Sequence, residues 1–450
     1  MPPLDFSGDI PLTLKAITEE LATNDTRITE SSFTLGVNPI ADEIDFFNVP
    51  DKVTGDEDAV ITIPIDIVTQ ETNSDESIAL VVTAKAANDS SSTEDMASIR
   101  VDGKTARFFQ VDGVATAVIL VSASSINSIE LFAGDAFGDI DLTITADARD
   151  TATVLGSNVG DFGPIKQETI RLEITPEPDA PILDLTYDNI LAEPTGDIPL
   201  GLSLDLVNPA DGETGKLIIE GLPSDLELTK GQKVGNDWEV EGDDISSVAI
   251  KDPGTLSADE TFTLILKPSA ELNGNTADGS VETLDVELLT EGSQTLTGNF
   301  QKDYISGGSG GDTLSGGIGA DTILSGKGND ELTGGLGHDT FVFTSDDTGT
   351  VFEFTDTVTD FNVSANTDSI DLSAILSATN ATDAANQLNL VQDGADVRIE
   401  LLPSGNQVEH NIKLENTTLD SLYGGDASGV SETDIIQKML DDQNLILSSN

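Results

Sequence analysis

Cysteine is absent from the chain, which removes disulfides, zinc–thiolate sites and thiol nucleophiles and leaves ionic contacts as the available staples. Histidine is nearly absent too. His338 and His410 are the two in 450 residues, and neither belongs to an H-E-x-x-H motif, so protease and lipase chemistry finds no base here. Lys and Arg number 20 against 82 Asp and Glu, a formal charge of -62. Such a chain repels nucleic acid and anionic membranes, and a divalent cation is its natural partner. No stretch approaches about eighteen uninterrupted apolar residues, and the opening MPPLDFSGDIPLTL lacks a basic segment followed by an apolar one. Neither a membrane span nor a Sec-type signal is expected. Disorder is the other meaning of such a charge, but 37% apolar residues and frequent Val/Ile/Leu alternation argue for folded β structure.

What is present is a nine-residue period. Residues 298–342 read GNFQKDYIS, GGSGGDTLS, GGIGADTIL, SGKGNDELT and GGLGHDTFV. Asp recurs at 303, 312, 321, 330 and 339, and an apolar residue follows two places later: Ile305, Leu314, Ile323, Leu332 and Phe341. Glycine fills the turns at Gly307, Gly308, Gly310, Gly316, Gly317, Gly319, Gly326, Gly328, Gly334, Gly335 and Gly337. Such turns allow positive φ and let backbone carbonyls converge on an ion, to which each Asp adds charge. The three-residue strands between them are too short to stand alone, so stacking has to bury their apolar residue. A glycine-rich linker would have no reason to hold Asp and an apolar residue in register.

This segment closely resembles the calcium-binding repeats-in-toxin (RTX) family. The resemblance implies a parallel β-roll in which two nonapeptides make one coil and turns eighteen residues apart lie above one another. Calcium would then lie between Asp303 and Asp321, Asp312 and Asp330, and Asp321 and Asp339, with carbonyls such as those of Gly308, Gly310, Gly317 and Gly319 completing the shell. The first copy, GNFQKD, departs from the pattern. GGSGG at 307–311 formally matches a G-x-S-x-G nucleophile motif with Ser309, but that elbow needs a full strand before it, a helix after it and a histidine base. SGKG at 325–328 lacks the remainder of a phosphate loop.

Before residue 298 a longer period appears. FSGDIPLTLKA at 6–16 returns as AFGDIDLTITA at 136–146, and DEDAVITIPIDIV at 56–68 parallels PTGDIPLGLSLDLV at 194–207. Alternating strands such as LVVTAKA, IRLEIT and FTLILK predict one β-sandwich per repeat. These units resemble the Ig-like and cadherin-like repeats of giant bacterial adhesins. Residues 1–40 match only the closing strands of such a unit, so the chain is expected to be the C-terminal piece of a longer protein. The joint ITPEPDAPIL at 174–183 is similar to calcium-stiffened linkers, with Asp179 as the candidate ligand and Glu177 behind it; a proline-stiffened linker without metal is the equal alternative. Residues 41–180 carry an insertion with a basic cluster, Arg100, Lys104 and Arg107, read either as a ligand surface or as salt-bridge partners.

The stretch TDTVTDFNVSANTDSIDLSAIL at 355–376 resembles the cap that follows calcium rolls, with Asp360, Asp368 and Asp371 shaping turns or holding another ion. The tail SETDIIQKMLDDQNLILSSN predicts a helix starting at Glu432 or Thr433 with Ile435, Ile436, Met439 and Leu440 on one face. It resembles an uncleaved type I export signal; a packed terminal helix is the alternative.

The expected architecture is therefore all-β. Its parts are closing strands at 1–40, Ig-like sandwiches at 41–180 and 181–297, a calcium roll at 298–342, and a cap with secretion signal at 343–450. The resemblance implies a secreted or cell-surface, monomeric, non-catalytic adhesin region serving adhesion and biofilm formation. Its implied partners are several calcium ions, a type I ABC transporter apparatus and an extracellular peptide, glycan or surface ligand. The alternative is the non-catalytic C-terminal part of a secreted RTX enzyme or toxin.

Overall fold

The computed structural model describes residues 6–20, 25–69, 76–88, 91–93, 96–122, 125–207, 212–344, 354–363, 368–402 and 410–447. The chain divides into two compact units, Met1–Glu177 with Ala210–Gly212, and Pro178–Pro209 with Glu213–Asn450. Both are built of β-strands, as the alternating sequence requires, with tandem sandwich cores followed by a parallel roll.

In the first unit, two sheets face each other. One contains Lys52–Asp56, Lys166–Thr175, Gly138–Val154, Glu76–Ala86, Val114–Val121 and Phe109–Val111, with Ser157–Phe162 alongside; the other contains Ile44–Phe47, Val60–Thr69, Ser125–Phe132, Ser98–Val101 and Lys104–Arg107. Their inward residues, among them Ile63, Ile129, Ile140, Leu142, Ile144 and Leu172, are fully buried. Each Ile or Leu so placed contributes about 1.5–3 kcal/mol of burial. Residues Gly8–Glu20 and Asp25–Val37 form a separate antiparallel hairpin. Its register matches that of the sandwich hairpin it repeats: Ile10 faces Leu35 and Leu12 faces Phe33, as Ile140 faces Leu172 and Leu142 faces Ile170. The face is nevertheless open, with Leu12, Leu14, Phe33 and Leu35 exposed.

The second unit begins with a sandwich whose core holds Ile190, Leu217, Ile219, Trp238, Leu264, Leu266 and Val286. Its larger sheet does not stop at residue 297. Strand Asn189–Ala192 pairs in parallel with residues 285–288 on one side and 303–306 on the other. The sandwich sheet thus continues into one wall of the roll, and the boundary expected at 297–298 falls inside a continuous ladder.

The roll consists of two parallel ladders. In one, Thr295–Thr297, Thr313–Ile318, Glu331–Leu336, Phe354–Val358 and His410–Leu414 stack in order; in the other, Asp303–Ser306, Thr322–Leu324, Thr340–Val342, Ser369–Asp371 and Leu445–Ile446 do. The eighteen-residue step is explicit in the pairings Leu314 with Leu332 and Ile305 with Ile323. Ile305, Leu314, Ile323, Leu332 and Phe341 are all fully buried in one cluster. Stacking supplies the burial that three-residue strands cannot obtain alone. Residues from the cap extend both ladders, so the roll runs beyond the 298–342 expected for it.

Helix Glu432–Asp441 begins at the predicted Glu432, behind an N-cap at Ser431 whose hydroxyl accepts from the Asp434 N–H. Its buried Ile435, Ile436 and Met439 join the roll's core. Among the described residues no helix is long and apolar enough to cross a membrane.

Candidate metal centre

Two columns of buried aspartates run along the roll, one on each edge. On one edge, the N–H of Asp303 donates to Oδ1 of Asp321 (2.9 Å), that of Asp321 to Oδ1 of Asp339 (3.0 Å), and that of Asp339 to Oδ1 of Asp368 (3.2 Å). On the other, Asp312 donates to Asp330 (2.7 Å) and Asp330 to Asp356 (2.9 Å). The pairs foreseen at a spacing of eighteen are therefore brought together. The Oδ2 atoms of Asp312, Asp321, Asp330 and Asp339 are buried without a hydrogen-bond partner. Each such orphan costs about 1–3 kcal/mol, more when charged.

The glycines hold these carboxylates by what they lack. A β-carbon on Gly307, Gly316 or Gly334 would run into Oδ2 of Asp312, Asp321 or Asp339 respectively. Gly317, with φ +105°, needs the left-handed region as well, and its counterparts Gly308, Gly326 and Gly335 share positive φ. A β-carbon on Gly310, Gly319, Gly328 or Gly337 would collide with the neighbouring turn's backbone. Ser325 occupies the position of Gly307 and Gly316, and its hydroxyl is fully buried without a partner.

Burial dominates the electrostatics. It pushes the carboxyl of Asp312 up to about 6, that of Asp321 up to about 6 and that of Asp339 up to about 7. Asp330 is raised by burial first and by the charge of Asp356 second. Among the described residues no group of three or more Asp, Glu or His side chains is placed to hold an ion alone. Carbonyl oxygens must therefore supply much of a shell of roughly six to eight ligands. Orphaned carboxylate oxygens, oxygen-only donors and turns without Cβ fit a calcium ion. Asp312, Asp321, Asp330 and Asp339 would hold it with the glycine carbonyls, and the ion would supply the positive charge that these buried carboxylates lack.

Asp303 is different. Its Oδ1 accepts from Asn189 Nδ2 (3.0 Å) and its Oδ2 from the Asn299 N–H (2.7 Å), so neither oxygen is orphaned. Asp360 accepts from the N–H groups of Gly334 and Gly335 (2.9 and 2.8 Å), and Asp371 from that of Ser373 (2.8 Å); both shape turns. The Asp179 N–H donates to Glu213 (2.5 Å). Glu177 lies in the other unit, where its N–H donates to Glu57 (2.5 Å). Ser309 donates its hydroxyl to Glu193 (2.6 Å), not to a histidine. Arg100 pairs with Glu130 and Lys104 reaches the Leu120 carbonyl (2.9 Å).

Three participants escaped sequence reasoning. Asp356 and fully buried His410, whose Nε2 lies 3.0 Å from Asp356 Oδ2, continue one column. Asp356 stands 26 residues from Asp330, off the eighteen-residue step, and only the TDTVTDF context could have suggested it. Glu193 enters from the sandwich, and no period in the sequence points to it.

The family model for the RTX calcium-binding nonapeptide repeat (four copies) matches residues 290–323 and 306–341. The matched stretch begins eight residues before 298. No curated protein matches the chain. Among solved structures, the AlgE6R3 subunit of the mannuronan C5-epimerase of Azotobacter vinelandii is 28% identical, over 28% of this chain and 71% of that one, with a TM-score of 0.23. The extracellular lipase LipA of Serratia marcescens is 17% identical over 41% of this chain and 29% of its own, with a TM-score of 0.23. Murine CEACAM1b is 12% identical over 54% of this chain and 100% of its own, with a TM-score of 0.18. The repeat match and the stacked aspartates agree: residues 290–341 carry RTX-type calcium-binding nonapeptide repeats.

Proposed function

We propose that this chain is a non-catalytic, calcium-dependent adhesin region that is exported by a type I system and folds on meeting calcium outside the cell. The observation that carries the adhesin reading is the repeated sandwich unit: hairpin 8–37 reproduces the register of strands 138–175. Tandem units of one design suit a spacer that presents loops at a distance. The chain's two histidines and lack of cysteine also leave few groups for catalysis. A ligand of peptide, glycan or surface type would meet those loops.

The test is binding of the full chain to glycan and peptide arrays and to cell surfaces, in millimolar calcium and in chelator. Calcium-dependent binding to a defined class supports the reading; no binding in calcium, with the roll shown folded by circular dichroism, overturns it.

For export, the tail from residue 432 is proposed as the signal. Its helix also packs into the roll's core through Ile435, Ile436 and Met439, so folding and export must be measured separately. Undiminished export of a chain lacking residues 432–450, from a host with a matching type I transporter, would rule the tail out.

A further inference from the structure

We propose that Glu193, a side chain of the second sandwich, closes the first turn level of the roll in place of a cation, so that this level stays ordered without calcium. The inference rests on the calcium-binding reading of the repeats and concerns the level at which that binding begins.

On the edge of Asp312 and Asp330 the first coil lacks an aspartate. Thr295 pairs with Thr313 as Thr313 pairs with Glu331, which puts Gln294 in register with Asp312 and Asp330. The backbone agrees: the Gln294 N–H donates to Asp312 Oδ1 (2.6 Å), just as Asp312 donates to Asp330. An amide side chain cannot supply the missing negative charge.

A carboxylate arrives instead from the sandwich. Glu193 is 1% exposed. Its Oε1 accepts from the Ser309 N–H (2.8 Å) and the Ser309 hydroxyl (2.6 Å), and its Oε2 accepts from the Gly292 N–H (2.9 Å). Gly292 and Ser309 belong to successive turns of the same edge, so one carboxylate ties two levels together. Main-chain bonds from Glu193 to Ser306 (3.0 Å) and from Leu289 to Ala192 (2.9 Å) hold it in place. Gly308 makes the fit possible, because a β-carbon there would meet the Glu193 side chain at 2.5 Å.

At the next level backbone stands where Glu193 stands at the first: a β-carbon on Gly326 would meet the main chain of Gly308, whose carbonyl accepts from the Lys327 N–H (2.7 Å), while the Lys327 carbonyl accepts from the Gly310 N–H (2.8 Å). Converging N–H groups, as at the first level, select an anion. Glu193 therefore acts as a positioning residue: it sets the first turns by satisfying N–H groups that a cation would repel.

Amide hydrogen exchange of the full chain, read by mass spectrometry, separates the two kinds of level. In chelator, the amides of Gly292 and Ser309 are expected to exchange slowly and to respond little to calcium, while those of Asp321 and Thr340 exchange fast until calcium is added. Glu193→Ala should speed exchange at Gly292 and Ser309 about tenfold in chelator. Glu193→Gln should restore protection at Ser309 more than at Gly292, since its one carbonyl oxygen can still accept. Fluorescence of Trp238, the single tryptophan and part of the sandwich core, reports whether the variants keep the sandwich folded. Exchange in chelator as fast at Ser309 as at Asp321, or unchanged exchange in a folded Glu193→Ala, overturns the proposal. Calorimetric calcium titration of the same chain tests the underlying binding separately.

Discussion

The N–H of Asp303 donates to Oδ1 of Asp321 across 2.9 Å, while Oδ2 of Asp321 is buried without a partner. The relation is one-sided, because both oxygens of Asp303 are already taken by Asn189 and Asn299. Asp321 also donates onward to Asp339. Asp321→Ala thus removes an acceptor and an unsatisfied ligand oxygen from the middle of a column, whereas Asp303→Ala removes a satisfied one at its end. Hydrogen bonds to charged groups contribute about 1.5–3 kcal/mol, so Asp321→Ala should raise the calcium midpoint about tenfold or more and Asp303→Ala much less. Equal shifts, followed by circular dichroism, would show that column position does not decide the cost.

The same burial sets a pH dependence whose sign reverses with calcium. The folded-state carboxyls of Asp312, Asp321 and Asp339 are raised to about 6, 6 and 7, above the ordinary value near 4. Without calcium the folded roll binds more protons than the unfolded chain, so its stability is greatest below about pH 4 and falls as pH rises to about 7. With calcium the ligands must be ionised, so acid opposes binding. Thermal melts in chelator should therefore show a more stable roll at pH 5 than at pH 8, and melts in millimolar calcium the reverse. A roll that melts higher at pH 8 in both conditions would contradict this account.

Much of this architecture was legible because short-range periodicity has a direct physical cause. The nine-residue spacing of Asp312, Asp321 and Asp330 is half a coil, which sends successive aspartates to alternate edges, and strand alternation such as that of Gly138–Val154 is the alternation of buried and exposed faces. Asp356 and Asp368 were harder to assign, since they stand 26 and 29 residues from the aspartates they accept from. Glu193 is 116 residues from Ser309. That contact exists because a sandwich strand happens to be the roll's neighbour in the sheet, a choice made by tertiary packing that no local pattern encodes.

Glycine substitutions should separate packing from flexibility. Gly316 does not have positive φ, yet its added β-carbon would collide with Asp321 Oδ2 and the Gly334 carbonyl, neither of which is the free end of a flexible chain. Gly196 has neither positive φ nor any atom within 4 Å of an added β-carbon. Gly316→Ala should abolish calcium-driven folding of the roll at millimolar calcium, and Gly196→Ala should change stability by less than about 0.5 kcal/mol. Normal calcium-dependent circular dichroism in Gly316→Ala would mean that the turn has room the geometry denies it.

The N-terminal hairpin allows identical register to be compared with and without burial. Leu14 is 66% exposed, while Ile144, at the corresponding place in the repeat, is fully buried. An isolated two-stranded hairpin is marginal in water, and side chains left exposed forfeit about 1.5–3 kcal/mol each. Amides of Ile10, Leu12 and Leu14 should accordingly exchange about a hundredfold or more faster than those of Ile140, Leu142 and Ile144. Truncation should follow the same division: Ile144→Ala is expected to cost about 2–5 kcal/mol in the melting of the first sandwich, and Leu14→Ala less than about 0.5 kcal/mol. Comparable exchange in the two hairpins, or comparable cost in the two variants, would show that the face of Leu12, Leu14 and Phe33 is covered in solution.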